Sequence, residues 1–185
     1  YFFYNDEYNT FSQEFRISGE VGKLNYVGGL YYMNTSGEND RTLVYSTLTA
    51  LLGLPANSVT NTNPMVDNES MAVFTALDYS LTDTLTLNLG ARLNYETKEL
   101  TFNQSTDLVE PYSTLAVIEG YTTDMNETSF SPSIGLTWEP SDNATYYARY
   151  SRGVKSGGFN AYYLNIYQIA ADLSLDQETV DSNEL

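Results

Sequence analysis

Five charged residues stand out because they lie in segments that are otherwise rich in apolar side chains: Glu14, Arg16, Arg92, Glu96 and Arg149. Guanidinium and carboxylate groups can bind ligand groups of opposite charge or pair with one another. The chain contains no Cys and no His, so thiolate nucleophiles, the commonest general base and the usual transition-metal ligands are missing. We therefore predict no enzyme, no catalytic residue, no metal site and no cofactor.

The charge balance argues against one class of partner. Asp and Glu number 24 against 8 Lys and Arg, which gives a formal net charge of -16. Such a chain repels the phosphate backbone, so we expect no nucleic-acid partner. Acidic residues outside the alternating segments could gather cations, but no spacing matches a calcium loop. We interpret them as scattered solvated charge.

The charged residues are positioned by segments in which apolar and polar residues alternate. In the clearest segment, Leu85, Leu87, Leu89, Ala91, Leu93 and Tyr95 alternate with Thr86, Asn88, Gly90, Arg92, Asn94 and Glu96. A period of two places the apolar side chains on one face of a β-strand. About fifteen residues, at roughly 3.3 Å each and tilted near 45°, rise some 35 Å. This segment therefore predicts a strand long enough to cross a membrane.

Similar segments surround it, and no run of eighteen apolar residues predicts a transmembrane helix. Short turns join residues 11–19 to 24–34, 71–81 to 85–98, and 129–140 to 144–154 as antiparallel hairpins. Longer connections are predicted for 36–70, 100–128 and 155–185, with a short helix at 46–57. About six long strands with short periplasmic turns and long extracellular loops predict an all-β, antiparallel, up-and-down transmembrane β-barrel segment.

If these segments form a barrel, the five charged side chains should all lie on the same face of its wall. A Lys or Arg facing lipid at the membrane midplane costs roughly 2–4 kcal/mol, so we expect these residues to face the lumen. There they could serve the function of the barrel, although solvated or paired lumen charge is the more ordinary role. Four aromatic residues fit the girdles at the membrane interfaces: Tyr79, Tyr95, Trp138 and Tyr146.

Several stretches resemble the TonB-dependent receptors of the outer membrane. They are SQEFRISG with YVGGLYY, LTDTLTLNLGARLNYE, SPSIGLTWEPSDNATYYARYSRGVKSGGFN, and ETVDSNEL. The resemblance implies a barrel of about 22 strands around a plug domain. Residues 1–185 would be an internal segment of that barrel, and we expect the plug, the TonB box and the signal peptide to lie outside them.

The same resemblance implies a function for the parent protein. It would be a receptor in the bacterial outer membrane for active uptake of a scarce, bulky ligand such as a ferric siderophore. Its partners would be the surrounding lipid, the plug of the same parent chain and, indirectly, the TonB complex. Two alternatives remain open at this point: a passive porin or autotransporter barrel, and a soluble secreted β-sandwich that binds carbohydrate through its tyrosines.

Overall fold

Long antiparallel strands follow one another along the chain, and each pairs with its neighbour in sequence. The computed structural model describes residues 1–45, 57–108, 117–161 and 173–185. The long strands are β1 Phe2–Val21, β2 Leu24–Val44, β3 Val59–Ser80, β4 Leu85–Thr106, β5 Ile118–Ser141 and β6 Ala144–Lys155. Two short strands, β7 Gly158–Phe159 and β8 Ser174–Leu175, precede β9 Glu178–Glu184. The predicted all-β antiparallel fold is confirmed.

The sheet order is β1-β2-β3-β4-β5-β6-β9, while β7 and β8 pair separately. Two-residue turns at 22–23 and 142–143 join β1 to β2 and β5 to β6. Gly22 adopts a φ of 62°, a conformation that costs glycine little. At the turn between β3 and β4, the Thr84 backbone N–H donates to Thr82 Oγ1 over 3.2 Å. The three predicted hairpins are thus present.

At the strand ends away from the short turns, the strands are longer than the sequence pattern indicates. β2 and β3 remain paired up to Val44 and Val59, so the connection expected at 36–70 shrinks to 45–58. Similarly, the end of β4 and the start of β5 reduce the second connection to 107–117. The helix predicted for 46–57 lies, apart from Asn57, outside the described residues. Among the described residues, no helix is long and apolar enough to cross a membrane.

The strand register sorts the side chains onto two contrasting faces. One row places Phe15, Leu30, Val73, Leu93 and Phe130 on neighbouring strands. We call this side the apolar face; Phe15 and Leu30 are 68% and 59% exposed on it. The next row contains Arg16, Gly29, Phe74, Arg92 and Ser131, and we call that side the polar face.

Buried apolar residues are concentrated on the polar face, away from the short turns. Leu100 and Phe102 of β4 are fully buried and form a cluster with Ile118 and Leu173. Phe159 and Ala161 pack against this cluster. The core therefore lies where the segment around β7 and β8 folds over the sheet.

Candidate functional site

The register brings two of the predicted charges into one cluster on the polar face. The Arg92 guanidinium lies 5.2 Å from the ring centre of Tyr31 and 6.0 Å from that of Phe74. Arg16 lies 6.0 Å from the same Phe74 ring. Aromatic rings attract cations over such distances. Residues from four strands therefore form one guanidinium–aromatic cluster.

Glycine at position 29 makes room for this cluster. Gly29 is directly opposite Arg16 on one side and Phe74 on the other. A Cβ at this position would lie 2.6 Å from Phe74 Cζ and closer still to the Phe15 carbonyl oxygen. The Phe74 ring can therefore lie over β2 and reach Arg16 only because residue 29 has no side chain.

The two arginines of the cluster differ in their ionic partners. Arg16 forms an ion pair with Glu14, two residues away on the same face. Arg92 Nη2 instead donates to Asn94 Oδ1 over 3.4 Å, and no salt bridge joins it to a carboxylate within the described residues. Arg92 thus keeps a positive charge that the described part of the chain does not neutralise.

Glu96 lies on the polar face but belongs to a different group. Its carboxylate is 3.2 Å from Lys98 Nζ, and both side chains are largely buried. Glu127 of β5 is directly opposite Glu96. Sequence reasoning missed Lys98 and Glu127 because the apolar alternation ends near Tyr95; continuing its parity to residue 98 would have placed Lys98 on the polar face.

Arg149 lies apart from both groups, nearer the short turns. It is opposite Gly135 on β5 and Glu184 on β9. With Asp78 and Asn88 it lines a concavity of about 500 Å³. Asn88 donates to Asp78 Oδ1 over 2.6 Å and accepts from Thr137 over 2.9 Å. Arg149 thus borders a hollow lined by polar, small and apolar residues.

One ion pair departs from the division into two faces. Tyr150, directly opposite Ile134, lies on the apolar face, and the alternation places Arg152 on the same side. Arg152 donates from Nε and Nη2 to the two carboxylate oxygens of Asp181, over 2.8 and 3.0 Å. The Tyr150 hydroxyl donates to the same carboxylate over 2.8 Å. Bidentate pairing offsets the two charges where they interrupt the apolar surface.

The polar face can therefore bind or neutralise charged and aromatic groups. In the described ranges, no group of three or more Asp or Glu residues is placed to hold a metal ion. Its candidate residues form three separate groups: the cluster around Arg92, the pair Glu96–Lys98, and the hollow beside Arg149.

Comparison with known proteins finds solved structures with a similar fold. None of the curated proteins is significantly similar to the chain. Among solved structures, the ferric yersiniabactin uptake receptor FyuA of Yersinia pestis is similar, with a TM-score of 0.69 and 18% identity over 98% of this chain. The siderophore receptor PiuA of Acinetobacter baumannii gives a TM-score of 0.68 and 15% identity over 97%.

These likenesses are to the fold, and they span 25% and 29% of the two receptor chains. The chain thus corresponds to roughly a quarter of their length. The family model described as "TonB dependent receptor-like, beta-barrel" matches residues 1–185. With its two-faced antiparallel sheet and a match over its whole length, the chain belongs to the TonB-dependent receptor β-barrel family.

Proposed function

We propose that this chain is part of the wall of a bacterial outer-membrane receptor that takes up a scarce, bulky ligand, such as a ferric siderophore, in a TonB-dependent manner. The ligand class is suggested by the two similar solved structures, a ferric yersiniabactin uptake receptor and a siderophore receptor. The parent chain would contribute a plug domain, through which the TonB complex acts indirectly.

The observation that carries this proposal is the exposed apolar face. Soluble monomers rarely expose contiguous apolar patches above a few hundred Å², yet here whole rows of large apolar side chains are exposed. Ile17, Leu30, Val73, Leu93, Phe130, Ile134 and Trp138 are all between 46% and 66% exposed. Lipid is the environment that suits such a surface, because it covers apolar side chains while the strand pairing satisfies the backbone groups within the protein, as a bilayer requires.

The height of this face agrees with a bilayer. On β4 the apolar side chains run from Leu85 to Tyr95, about ten steps of roughly 3.3 Å. At a tilt near 45° this corresponds to about 23 Å, close to the apolar band of outer-membrane barrels. The polar face would then line the lumen, with Glu14, Arg16, Arg92, Glu96 and Arg149 toward the plug or the import path.

The two alternative functions fit less well. A β-sandwich buries its apolar face between two packed sheets, whereas the described residues form one large sheet with that face open. A passive porin or autotransporter would share the apolar face, but the family match is to receptors. A passive porin would transport its ligand without TonB, so the dependence of uptake on TonB separates this alternative from the proposal.

Uptake by the intact parent receptor tests the proposal. A strain lacking the parent gene should lose accumulation of at least one radiolabelled ferric siderophore, and the intact gene should restore it. In a host without TonB, the intact gene should give no accumulation. Accumulation that persists without TonB would favour a passive porin, and normal accumulation in the deletion strain for every siderophore and haem source would contradict the ligand class.

A further inference from the structure

The described residues between β6 and β9, 156–161 and 173–177, include a segment that packs against the sheet. Lys155 at the end of β6 is directly opposite Glu178 at the start of β9. After Lys155 the chain runs over the polar face as far as Ala161, whose carbonyl oxygen accepts a hydrogen bond from Arg41 Nη1 of β2 over 3.3 Å. We call Ser156–Ala161, together with Leu173–Leu175, the strap.

One end of the strap is held by a group of polar contacts. Glu127 Oε2 accepts hydrogen bonds from Ser156 Oγ and the Gly157 backbone N–H, each over 2.8 Å. Lys98 Nζ donates to Ser156 Oγ over 2.9 Å and to the Gly157 carbonyl oxygen. We call Lys98, Glu127, Ser156 and Gly157 the clasp. Two charged side chains from neighbouring strands thus bind the same two residues.

The charges of the clasp depend on one another. Glu96 and Glu127 are directly opposite on β4 and β5, and like charges in such pairs are destabilising. Lys98 lies 3.2 Å from the Glu96 carboxylate and offsets this repulsion. The Lys98 and Glu96 side chains are only 14% and 12% exposed, so water screens the interaction weakly.

Gly157 fits the clasp because it has no side chain. A Cβ there would lie 2.5 Å from Glu127 Oε1 and 2.8 Å from Met125 Cε, and closer still to the Leu175 carbonyl oxygen. Two of these three obstacles belong to groups that the strap and clasp fix in place. Alanine at this position should therefore push the strap away from β5.

The other contact of the strap is apolar. Leu173 packs with Leu100 and Phe102, and Phe159 and Ala161 pack against the same cluster. Leu100 and Phe102 are 0% exposed, although both lie on the polar face by register. The strap thus covers apolar side chains that water in the barrel would otherwise reach.

We propose that the strap is a fixed ledge on the inner side of the wall, and that Lys98 and Glu127 are positioning residues that keep it over Leu100 and Phe102. The ledge narrows the lumen at the end of the strands away from the short turns. The inner position of the ledge and the narrowing of the lumen rest on the proposed function, whereas the covering of Leu100 and Phe102 follows from contacts within the chain.

Thiol labelling of the full-length parent receptor tests the ledge, with its native cysteines, if any, replaced. Leu100→Cys places a reporter under the strap and should react slowly with a bulky, membrane-impermeant maleimide in purified receptor. Adding Glu127→Gln should raise the labelling rate about tenfold or more, since it removes a charge-assisted contact. Adding Glu99→Gln, the same change on the opposite face, should leave the rate unaltered.

Two further variants keep the test decisive. Gly157→Ala should also raise the labelling rate, because its Cβ would clash with the clasp and displace the strap. Ser156→Ala, which removes the hydrogen bond to Glu127, replaces Glu127→Gln if that variant fails to assemble. Fast labelling with an intact clasp, or slow labelling in every clasp variant, overturns the proposal. A separate reporter, Asn143→Cys, tests orientation: on intact cells it should react only after the outer membrane is permeabilised, so failure of the membrane proposal is distinguishable from failure of the ledge.

Discussion

At the residue scale, the guanidinium–aromatic cluster depends on the absence of one side chain. Phe74 contacts Arg16 and Arg92 at 6.0 Å each because the backbone at Gly29 leaves space for its ring. Cation–aromatic contacts of this kind contribute about 0.5–1 kcal/mol each when exposed. The absence of a side chain at position 29 is therefore expected to contribute more to stability than either cation–aromatic contact.

Gly29→Ala should accordingly destabilise the folded parent receptor by about 1–3 kcal/mol, the usual cost of overpacking. The measurement is the midpoint of urea unfolding in lipid vesicles. Gly153→Ala is the matched control, because a Cβ at Gly153 meets nothing within 4 Å. Equal midpoints for the two variants would show that Phe74 moves aside at little cost.

At the element scale, β4 changes character along its length. Up to Tyr95 one side is apolar, whereas Thr97, Glu99 and Thr101 continue the same side with polar groups. On neighbouring strands the register places Asp67 and Asp124 beside Glu99, and carboxylates do not suit lipid. The part of the sheet beyond Tyr95, away from the short turns, is thus expected to extend beyond the hydrocarbon region.

A nitroxide scan along β4 of the parent receptor in vesicles should locate this boundary. Labels at Leu87, Leu89 and Leu93 should be accessible to oxygen, and labels at Glu99 and Thr101 to a water-soluble nickel chelate. Asn88, adjacent to Leu89 but on the polar face, is the control and should not report lipid. Equal accessibility at Asn88 and Leu89 would contradict the assignment of the faces.

At the scale of the whole molecule, the seven-stranded sheet has two edges, β1 and β9. Unpaired backbone groups at an edge readily pair with other chains, and an exposed apolar face adds a second route to association. In a closed barrel both edges are paired, and bacterial single-chain barrels have at least eight strands. The described sheet is therefore expected to need further strands.

The isolated 185-residue chain should aggregate when refolded from urea without detergent. Light scattering and size-exclusion chromatography would measure this. In detergent micelles the same chain should remain dispersed, since micelles cover the apolar face. A folded monomer in plain buffer would instead support the soluble β-sandwich and would count against the membrane assignment.

The sequence alone predicted much of the sheet in the region where one face is continuously apolar. The period of two from Leu85 to Glu96 identified β4 and both of its faces, because a lipid-facing side must be continuously apolar. Beyond Tyr95 the apolar face becomes polar, while the apolar residues Leu100 and Phe102 lie on the other face, so the pattern does not continue and strand ends such as Thr106 and Ile118 were missed. Arg152 also escaped the pattern, because its pairing with Asp181 is a property of two strands and not of one.

The sequence by itself thus determined the strand class, the short turns and the side of the sheet on which Arg16, Arg92 and Glu96 lie, since these are local properties of a pleated strand. Only the tertiary structure decided which residues meet. Phe74 joins Arg16 and Arg92 through the register of four strands, and Lys98 and Glu127 hold a strap that begins nearly thirty residues after Glu127. Such contacts depend on how strands align and where the chain folds back, and no single strand encodes either.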